Sequence, residues 1–504
     1  MDGDQVRIGV YNLYWHTFGG GEQQAGGIVD ALTGEHQVEL LGPRPFDLDT
    51  ARERLGVRFD NVSFRRVPGD EAGDSLVSAD YDVFINHTYR STVASLAQRS
   101  IYFVMFPHRL DASRRQRVVE RIGVSPERAA RVLGGVARRG ADIEVDRTMS
   151  VQVPLSARHV RMVLRSTSPE VVRVSEVARG AAPAERLIDG TVSIDVGLTD
   201  GHHGSVLLSP AVVGDDRGFH QHLYLDSLEV DGRSVPHDPT SLARRLVPVR
   251  HRAFLDSYDR VVALSEYTRR WSLEWWGRGD DVISPPVRLR AAVALGAKAP
   301  VIVSIGRFFD PASGHSKRQL ELVAAFRQLV EQGLEGWRLV LIGGARPEDR
   351  DYAMAVRRAA AGLPVEVRFS APGDVVDSTL ASASIYWHGA GYGSDLDAAP
   401  DRAEHFGIAP IEAMSTGAVP VVFAAAGPAE VVEHDVSGLQ WRTIDELVAH
   451  TRRLIDDVAL RERLATGAVQ RAAGYDEAHF RARVQALLAD VVSDGPASIG
   501  KLTT

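Results

Sequence analysis

Short apolar runs alternate with helical patterns near the start of this 504-residue chain, and this alternation constrains the fold more than any other feature. The runs predict strands at 6–11, 37–41, 62–64, 82–86 and 101–105, with helical or polar segments between them. Strands that alternate with helices form βαβ units and a parallel sheet. The sequence therefore predicts a doubly wound α/β domain in the first part of the chain.

The same alternation returns after about residue 241. Further strands are predicted at 260–264, 301–305, 338–342, 365–369, 384–387 and 419–423. Pro285 and Pro286 restrict the backbone on both sides and predict a hinge between two α/β halves. A ligand cleft is expected between halves of this kind.

Between these two parts the sequence pattern changes. Residues 113–140 are rich in arginine and are predicted to be helical. The β-like runs that follow are at 149–154, 160–165, 171–174, 191–196, 205–208 and 223–230. Short strands at such spacing, separated by Gly, Pro and Asp, predict an antiparallel sandwich or barrel. We interpret this region as a domain inserted into the first α/β unit.

Five segments follow from these patterns. The predicted segments are a first Rossmann-like part at 1–112, an insertion that is helical and then β-rich at 113–240, a second Rossmann-like part at 241–285, a second Rossmann-like domain at 286–475, and a closing helix and tail at 476–504.

Composition excludes several classes of protein. The chain has no cysteine, which rules out disulfide scaffolds, thiolate metal sites and cysteine nucleophiles. Its net charge of -8 argues against a nucleic-acid-binding protein, which usually has a basic face. No apolar run approaches the ~18 residues of a membrane span, and the first residues lack a secretory pattern. A cytoplasmic location is expected.

Two glutamates in the second half stand out. Seven residues separate Glu404 from Glu412, and Gly407 and Pro410 are among them. Proline favours the first position of a helix, so Glu412 is predicted in the first turn and Glu404 in the preceding loop. A glycine there lets the backbone approach a ligand, and two carboxylates suit the hydroxyls of a sugar and a ribose. The alternative is an acidic first turn that complements the helix dipole.

The segment 404–422 resembles the E-x7-E signature of GT-B glycosyltransferases, specifically the retaining family 4 enzymes known as glycosyl transferases group 1. Three further segments agree in order: the glycine-rich loop at 18–22, the strand, loop and helix at 303–326, and the aromatic segment at 386–389. The resemblance implies a GT-B fold, with two Rossmann-like domains facing a cleft and, in this chain, an inserted β-rich domain.

The resemblance also implies a donor site. Glu412 would bind the ribose hydroxyls of a nucleotide-sugar donor, and Glu404 would lie near the donor sugar. The backbone of Phe406, Gly407 and Ile408 would reach the hydroxyls of that sugar.

Two basic residues match the pair that holds the donor diphosphate in this family, Arg307 and Lys317. The interval between them is longer than is usual, so Arg318 is an alternative for the lysine role. Fixed positive charges stabilise a departing nucleoside diphosphate, and arginine can bind two phosphate oxygens at once. Taken alone, each cation has a solvated surface as its alternative. Together with the glutamates, donor binding is favoured.

The first domain contributes further candidates. Gly20 and Gly21 follow the first strand and could cradle a phosphate, with a flexible turn as the alternative. His108 resembles the active-site histidine that lies by the reacting sugar, with a surface-loop histidine as the alternative. We predict His108, together with Arg307, Lys317 and Glu404, as the catalytic set.

Other patterns are interpreted as structural. Asp395 and Asp397 form a D-x-D, but two aspartates in an acidic loop are common, and we predict no metal site. His220 and His222 lack a third ligand for zinc. The arginines at 114–121 are expected on a solvated helix face, and a peripheral membrane contact is the alternative.

These observations predict a retaining, metal-independent glycosyltransferase that moves a sugar from a nucleotide-sugar donor to a glycan, lipid-linked or small-molecule acceptor. No cofactor beyond this substrate is expected. The inserted domain is expected to bind carbohydrate, and the alternatives are that it mediates oligomerisation or shields the cleft. The alternatives are a sugar-nucleotide epimerase or phosphorylase on the same fold, and a non-catalytic carbohydrate-binding protein.

Overall fold

The computed structural model describes residues 5–110, 131–133, 136–145, 148–178, 180–210, 223–235, 237, 253–313 and 316–493. The chain divides into two compact units. The first unit comprises Met1–Val262, Trp271–Asp281 and Val484–Thr504, and the second comprises Ala263–Arg270 and Val282–Arg483.

Strands and helices alternate in both units, as the sequence predicts. The strands of the described residues are β1 Arg7–Tyr11, β2 Gln37–Gly42, β3 Ser63–Arg66, β4 Val83–Asn86, β5 Arg99–Val104, β6 Arg131–Leu133, β7 Val136–Arg139, β8 Asp142–Val145, β9 Met149–Gln152, β10 His159–Glu176, β11 Ala184–Gly197, β12 Ser205–Pro210, β13 Leu223–Val230, β14 Arg233–Ser234, β15 Arg260–Ala263, β16 Asp281–Val282, β17 Ala299–Ile305, β18 Arg338–Gly343, β19 Val365–Phe369, β20 Ala383–His388, β21 Val419–Phe423 and β22 Leu439–Trp441.

The α-helices of the same residues are α1 Gly20–Leu32, α2 Leu48–Leu55, α3 Glu71–Ser78, α4 Ala253–Asp256, α5 Glu266–Trp276, α6 Gln319–Glu331, α7 Arg350–Ala359, α8 Gly373–Ser382, α9 Ile408–Ser415, α10 Ala426–Val431, α11 Ile444–Asp456, α12 Val458–Ala472 and α13 Glu477–Ser493. Each helix within the described ranges is too short or too polar to cross a membrane.

The first unit contains a seven-stranded sheet in the order β16-β15-β5-β4-β1-β2-β3. Strands β1 to β5 pair in parallel, and the side chains of β1 from Ile8 onward are buried on both faces. A near-continuous apolar strand is what a sheet covered by helices on both sides requires. The predicted doubly wound domain is therefore confirmed.

The insertion forms one continuous antiparallel sheet in the order β6-β9-β12-β10-β13-β8-β7, with β11 also pairing β10 and β14 pairing β13. Strand β10 joins the two predicted strands at 160–165 and 171–174 through an irregularity between Ser166 and Glu170. Its first half pairs with β13 and its last residues pair with β12. Side chains of β13, which pairs with the first half of β10, and of β12, which pairs with its last residues, contribute to one apolar core, as in a sandwich.

The predicted helix at 113–140 is wrong at its end, where β6 and β7 are strands. The cause is that arginines on an exposed strand and on an exposed helix face give the same composition, and the apolar residues of β6 and β7 are too few to show a period. Residues 111–130 of that segment lie outside the described residues. The sequence pattern also predicts a helix at 241–255, of which residues 241–252 lie outside the described residues.

The insertion packs against the sheet from which it departs. Arg173 of β10 forms an ion pair with Asp80, with Nη2 2.9 Å from Oδ1. Val177 and Leu207 belong to the same apolar core as Leu76 of α3. Apolar packing and a partly buried ion pair therefore join the β-rich domain to the first Rossmann-like domain.

The second unit contains a six-stranded parallel sheet in the order β19-β18-β17-β20-β21-β22. In chain order this is 3-2-1-4-5-6, the arrangement of a Rossmann fold. Trp387 of β20 and Trp441 of β22 are fully buried in its core. The predicted strands at 301–305, 338–342 and 365–369 coincide with β17, β18 and β19, whereas β22 was not predicted.

Candidate functional site

The candidate site lies at the carboxyl ends of β17 and β20 in the second unit. After β17 the chain adds strands β18 and β19 on one side of the sheet, and from β20 onward it adds strands on the other side. Strands β17 and β20 therefore flank the point where the strand order reverses. Ligands of open α/β sheets bind at such a point. Gly306 and Arg307 follow β17, and His388 is the last residue of β20.

Lys317 and Glu404, 87 residues apart, meet in this site. Lys317 Nζ donates a hydrogen bond to Glu404 Oε2. The two side chains are 15% and 19% exposed, so the pair is largely shielded from water. The stem of Lys317 lies across Gly306, where a Cβ would come within 2.6 Å of Lys317 Cγ. A glycine at position 306 is therefore what lets the lysine reach Glu404.

Arg318 is directed elsewhere. Its Nη2 donates to Ser394 Oγ at 2.8 Å, and its Nη1 lies 3.3 Å from Glu321 Oε1. Its backbone is left-handed, with φ of 59°, immediately before α6. This conformation is rare for a residue with a side chain and costs of order 1 kcal/mol. The structure thus brings Lys317, and not Arg318, to Glu404.

Gln319 fixes the turn that follows β17. Its Nε2 donates to the backbone oxygens of Gly306 at 3.2 Å and Arg307 at 3.1 Å. Tyr352 Oη in turn donates to Gln319 Oε1 at 3.3 Å. Gln319 is 2% exposed, so these bonds are made in a buried setting and hold the loop rigidly. Sequence reasoning missed this residue.

Arg307 is an exposed residue at the same turn. Its guanidinium carbon lies 4.4 Å from the ring centre of Phe309, and that of Arg346 lies 5.2 Å from the same ring. Two cations therefore lie around one buried aromatic ring next to the loop held by Gln319. This is a region of positive charge in which an anionic group would be stabilised.

Helix α9 begins at Ile408, not at Pro410. Gly407 precedes it with φ of 103°, a conformation that favours glycine, and this residue starts the helix two positions earlier than the proline pattern predicted. Glu412 is consequently the fifth residue of α9. The prediction that it lies in the first turn is wrong, and so is the alternative that it only complements the helix dipole there.

Glu412 is held by an ion pair that the sequence did not reveal. Arg290 Nη1 lies 2.9 Å from Glu412 Oε1, and the same guanidinium lies 2.7 Å from Asp377 Oδ1. The backbone N–H of Arg290 donates to Ser415 Oγ at 3.0 Å. Burial raises the pKa of Glu412, and the charge of Arg290 opposes that rise. No local pattern connects Arg290 with a residue 122 positions away, so sequence reasoning had no signal for it.

The loop that carries Glu404 rests against neighbouring backbone. Gly427 N–H donates to the backbone oxygen of Glu404 at 3.0 Å. A Cβ on Gly427 would come within 2.3 Å of Phe406 Cα. Ser265 Oγ donates to the backbone oxygen of His405 at 2.6 Å. The path of the loop is therefore fixed by contacts with the main chain at both of its sides.

His388 completes the group of polar side chains. It is 2% exposed, and its Nε2 lies 3.8 Å from Glu404 Oε2. Its ring stacks on Tyr386, with centres 6.3 Å apart. Burial, followed by the charge of Lys317, lowers the pKa of His388 to about 3, so its imidazole is neutral at physiological pH. The sequence indicated this residue only as part of an aromatic segment.

The glycine candidates of the first unit lie at the start of α1. Gly20 is the first residue of that helix. A Cβ on Gly21 would come within 2.7 Å of Met105 Sδ, so a larger residue at this position would have to displace the end of that side chain. Glu22 Oε2 accepts hydrogen bonds from Gly19 N–H at 2.8 Å and Thr17 Oγ1 at 2.7 Å. Phosphate binding at Gly20 and Gly21 stays a prediction.

His108 belongs to an aromatic cluster of the first unit. Its ring stacks on Phe254, with centres 6.2 Å apart and planes 8° apart. Trp276 Nε1 donates to the backbone oxygen of His108 at 2.8 Å. The histidine is thus held in a defined position, and its catalytic role stays a prediction.

The D-x-D segment forms a turn. Asp395 Oδ1 accepts the backbone N–H groups of Asp397 at 3.2 Å and Ala398 at 3.1 Å. No group of three or more His, Asp or Glu side chains among the described residues could hold a metal ion. His220, His222 and the arginines at 114–121 lie outside the described residues.

Comparison with known proteins finds a family model that matches part of the second unit. Residues 288–471 match the sequence model of the family described as Glycosyl transferases group 1. The matched range includes the turn after β17, Lys317, His388 and both glutamates.

One curated relative is 29% identical to this chain over 189 residues, which are 34% of the chain and 35% of the relative. It is the GDP-Man:Man(3)GlcNAc(2)-PP-Dol alpha-1,2-mannosyltransferase of Dictyostelium discoideum. The chain spans about a third of the length of this relative.

Several solved structures have a similar fold. Anabaena HepE in complex with UDP aligns with a TM-score of 0.51 and 13% identity over 96% of this chain and all of that one. A glycosyltransferase from Rickettsia africae aligns with a TM-score of 0.53 and 9% identity over 98% of this chain and all of that one. Sucrose-phosphate synthase from Thermosynechococcus elongatus aligns with a TM-score of 0.52 and 13% identity over 97% of this chain and all of that one. These likenesses show the fold, and the predicted GT-B fold is confirmed.

Proposed function

We propose that this protein transfers a sugar from a nucleotide-sugar donor to an acceptor hydroxyl, because residues 288–471 match the sequence model of the glycosyl transferases group 1. One observation carries the proposal. Two shielded carboxylates, each paired with a cation, lie in the matched unit: Glu404 with Lys317 beside the reversal of strand order, and Glu412 with Arg290. Hydroxyl groups and a diphosphate are the ligands that such a set of charges suits.

Each part of the donor has a proposed partner. Glu412 accepts hydrogen bonds from the ribose, and Arg290 keeps that carboxylate charged despite its burial. Arg307 and Lys317 bind the diphosphate. Glu404 and the backbone of the loop before α9 contact the donor sugar.

The proposed reaction retains the anomeric configuration. The bond between the anomeric carbon and the diphosphate oxygen breaks while the acceptor oxygen bonds to the same face of that carbon. The acceptor proton passes to the leaving phosphate oxygen. Arg307 and Lys317 stabilise the charge that accumulates on the diphosphate, so these cations do the work that a divalent metal ion could otherwise do.

The acceptor is proposed to be a glycan, and the β-rich insertion is proposed to bind it. The name of the curated relative specifies GDP-Man as a donor and a dolichol-linked glycan as an acceptor, so GDP-mannose and lipid-linked glycans are the first compounds to test. A lipid-linked acceptor would require the protein to work at a membrane surface.

Donor binding is the first test. Isothermal titration with GDP-mannose and UDP-glucose, each without added metal, should give binding for one of them. Glu412→Ala should weaken that binding at least tenfold, because a charge-assisted hydrogen bond is lost. Glu335→Ala, which removes an exposed carboxylate of the same unit, is the matched control and should bind like the wild type. Binding that is equal in wild type and Glu412→Ala would refute the assigned site.

Product analysis then separates the activities that the fold allows. An elongated acceptor whose new linkage has the donor's anomeric configuration by NMR supports a retaining transferase. A free isomer of the sugar or a sugar phosphate would identify an epimerase or a phosphorylase instead. Unchanged turnover in the presence of a chelator is expected, and a loss of turnover that Mg²⁺ or Mn²⁺ restores would contradict metal independence.

A further inference from the structure

The nitrogen His388 Nε2 is buried in the candidate site, and it has no hydrogen-bond partner among the residues that the structure describes. Burying a polar atom without a partner costs free energy, so proteins rarely do so without a reason. The nearest charged oxygen across the site is Glu404 Oε2, at 3.8 Å. A movement of about 0.9 Å by either side chain would give an ordinary hydrogen-bond length.

Lys317 and Glu404 form an ion pair in this site. Glu404 Oε2, the oxygen that faces His388, already accepts a hydrogen bond from Lys317 Nζ. Lys317 is also the cation that the proposed function directs to the donor diphosphate. When the ammonium group turns toward phosphate oxygens, Glu404 loses the hydrogen bond from Lys317 while it stays about four-fifths buried.

A neutral imidazole is suited to replace that hydrogen bond. With the proton on Nε2, it donates to a carboxylate without adding a second positive charge beside the ammonium. The low pKa of His388 agrees with a neutral ring, and its cause is burial together with the charge of Lys317. The stack on Tyr386 and the position at the end of β20 keep the ring directed into the site.

We propose that His388 is a positioning residue that takes over Glu404 from Lys317 when a nucleoside diphosphate binds. The Nε2–H group then donates to Glu404 Oε2 and keeps this carboxylate in place beside the donor sugar. The inference rests on the proposed function, because it needs Lys317 to bind the diphosphate. It adds an exchange of hydrogen-bond donors at Glu404, from Lys317 Nζ to His388 Nε2.

Titration with GDP and UDP tests this exchange in the full-length protein. In His388→Phe the ring is kept and the donor is removed, so the Kd for the nucleoside diphosphate that binds should rise about tenfold. In His388→Gln the amide nitrogen replaces Nε2, and the Kd should stay within about threefold of the wild type. In a Glu404→Ala background, His388→Phe should have no further effect on the Kd, because the carboxylate that His388 would hold is absent.

Thermal unfolding of the ligand-free variants separates positioning from a general structural role. Since Nε2 makes no hydrogen bond to the described residues, loss of that nitrogen in His388→Phe should not lower the unfolding temperature. A lower unfolding temperature together with weaker binding would overturn the inference in favour of a structural role.

The titrations also distinguish this inference from the proposed function. If the wild type binds neither GDP nor UDP, both the proposed function and the inference fall. If the wild type binds and His388→Phe binds equally well, or if the loss persists in Glu404→Ala, the inference alone falls. Failure of His388→Gln to restore binding would also overturn it.

Discussion

Gly427 offers a direct test of how the loop bearing Glu404 is positioned. A Cβ at this residue would lie 2.3 Å from Cα, 2.4 Å from O and 2.5 Å from N of Phe406. Non-bonded carbon atoms need about 3.5–4.0 Å, so alanine at 427 must push the two backbones apart by more than about 1 Å. The atoms in contact belong to the main chain, and no side chain can rotate away to relieve the overlap.

Two opposing effects decide whether Gly427→Ala stabilises or destabilises the protein. Gly427 is in helix α10, where replacing glycine by alanine alone gains roughly 0.5–1 kcal/mol. Overpacking typically costs about 1–3 kcal/mol. The overlap here is at the severe end of that range, about 3 kcal/mol, so we expect a net loss of about 2 kcal/mol. For a unit of this size, that loss lowers the unfolding temperature by about 4 °C.

The functional effect of Gly427→Ala should exceed its effect on stability. The loop that moves carries Glu404, whose partners are set by short contacts. We expect the affinity for the nucleotide sugar to fall at least tenfold, since a displacement of about 1 Å is enough to break such contacts. The affinity for the nucleoside diphosphate alone should fall less, because Glu412 is on helix α9. Titration calorimetry with both ligands measures the difference.

Two glycines provide matched controls. A Cβ on Gly467 would come within 2.0 Å of the backbone oxygen of Val436, so Gly467→Ala should lower the unfolding temperature but leave nucleotide-sugar affinity unchanged. Gly373 is the first residue of α8 and has open space around it, so Gly373→Ala should change neither property for the worse. Wild-type affinity in Gly427→Ala, or an equal loss in Gly467→Ala, would refute the reasoning.

Two further predictions concern buried charges. Burial raises the pKa of Asp74 to about 7. The protonated side chain therefore stabilises the fold at pH values below the ordinary pKa of an aspartate, and this contribution is lost as the pH rises through 7. Asp74→Asn should therefore gain about 2.5 kcal/mol relative to the wild type between pH 5 and pH 8, measured by calorimetric unfolding, whereas the exposed Asp60→Asn should show no such trend. In Arg290→Met, Glu412 stays buried but loses its cation, so the second unit should lose about 3 kcal/mol of stability at pH 7. The loss should be smaller at pH 4.5, where the carboxyl group is protonated. An equal loss at both pH values would contradict the ion-pair account.

The sequence predicted the elements of the site better than their geometry. The apolar runs of the parallel strands are nearly continuous, because both faces of the sheets are buried, and such runs can be recognised without other information. The spacing of Glu404 and Glu412 drew attention to the loop whose Glu404 contacts Lys317. The position of Glu412 within helix α9 was wrong, because the left-handed backbone of Gly407 begins the helix before Pro410.

What escaped prediction depends on contacts between distant residues. Arg290 and Glu412 are brought together by the packing of the second unit, and nothing in the sequence around either residue indicates the other. The same is true of Gln319, whose amide holds a turn that precedes it by 12 residues. Sequence patterns report burial and local conformation, whereas partners across a fold are decided by tertiary structure.

The insertion leaves the chain after β5 and returns to it before β15, and these two strands are neighbours in the first sheet. A region of about 150 residues therefore occupies the place of one crossover connection, and the order of the Rossmann strands is the same as it would be with a short link. Such a module can be gained, lost or exchanged between relatives without a change in the strand order of the sheet. Under the proposed function, a change in this module alone would alter acceptor binding and leave the proposed donor site of the second unit as it is.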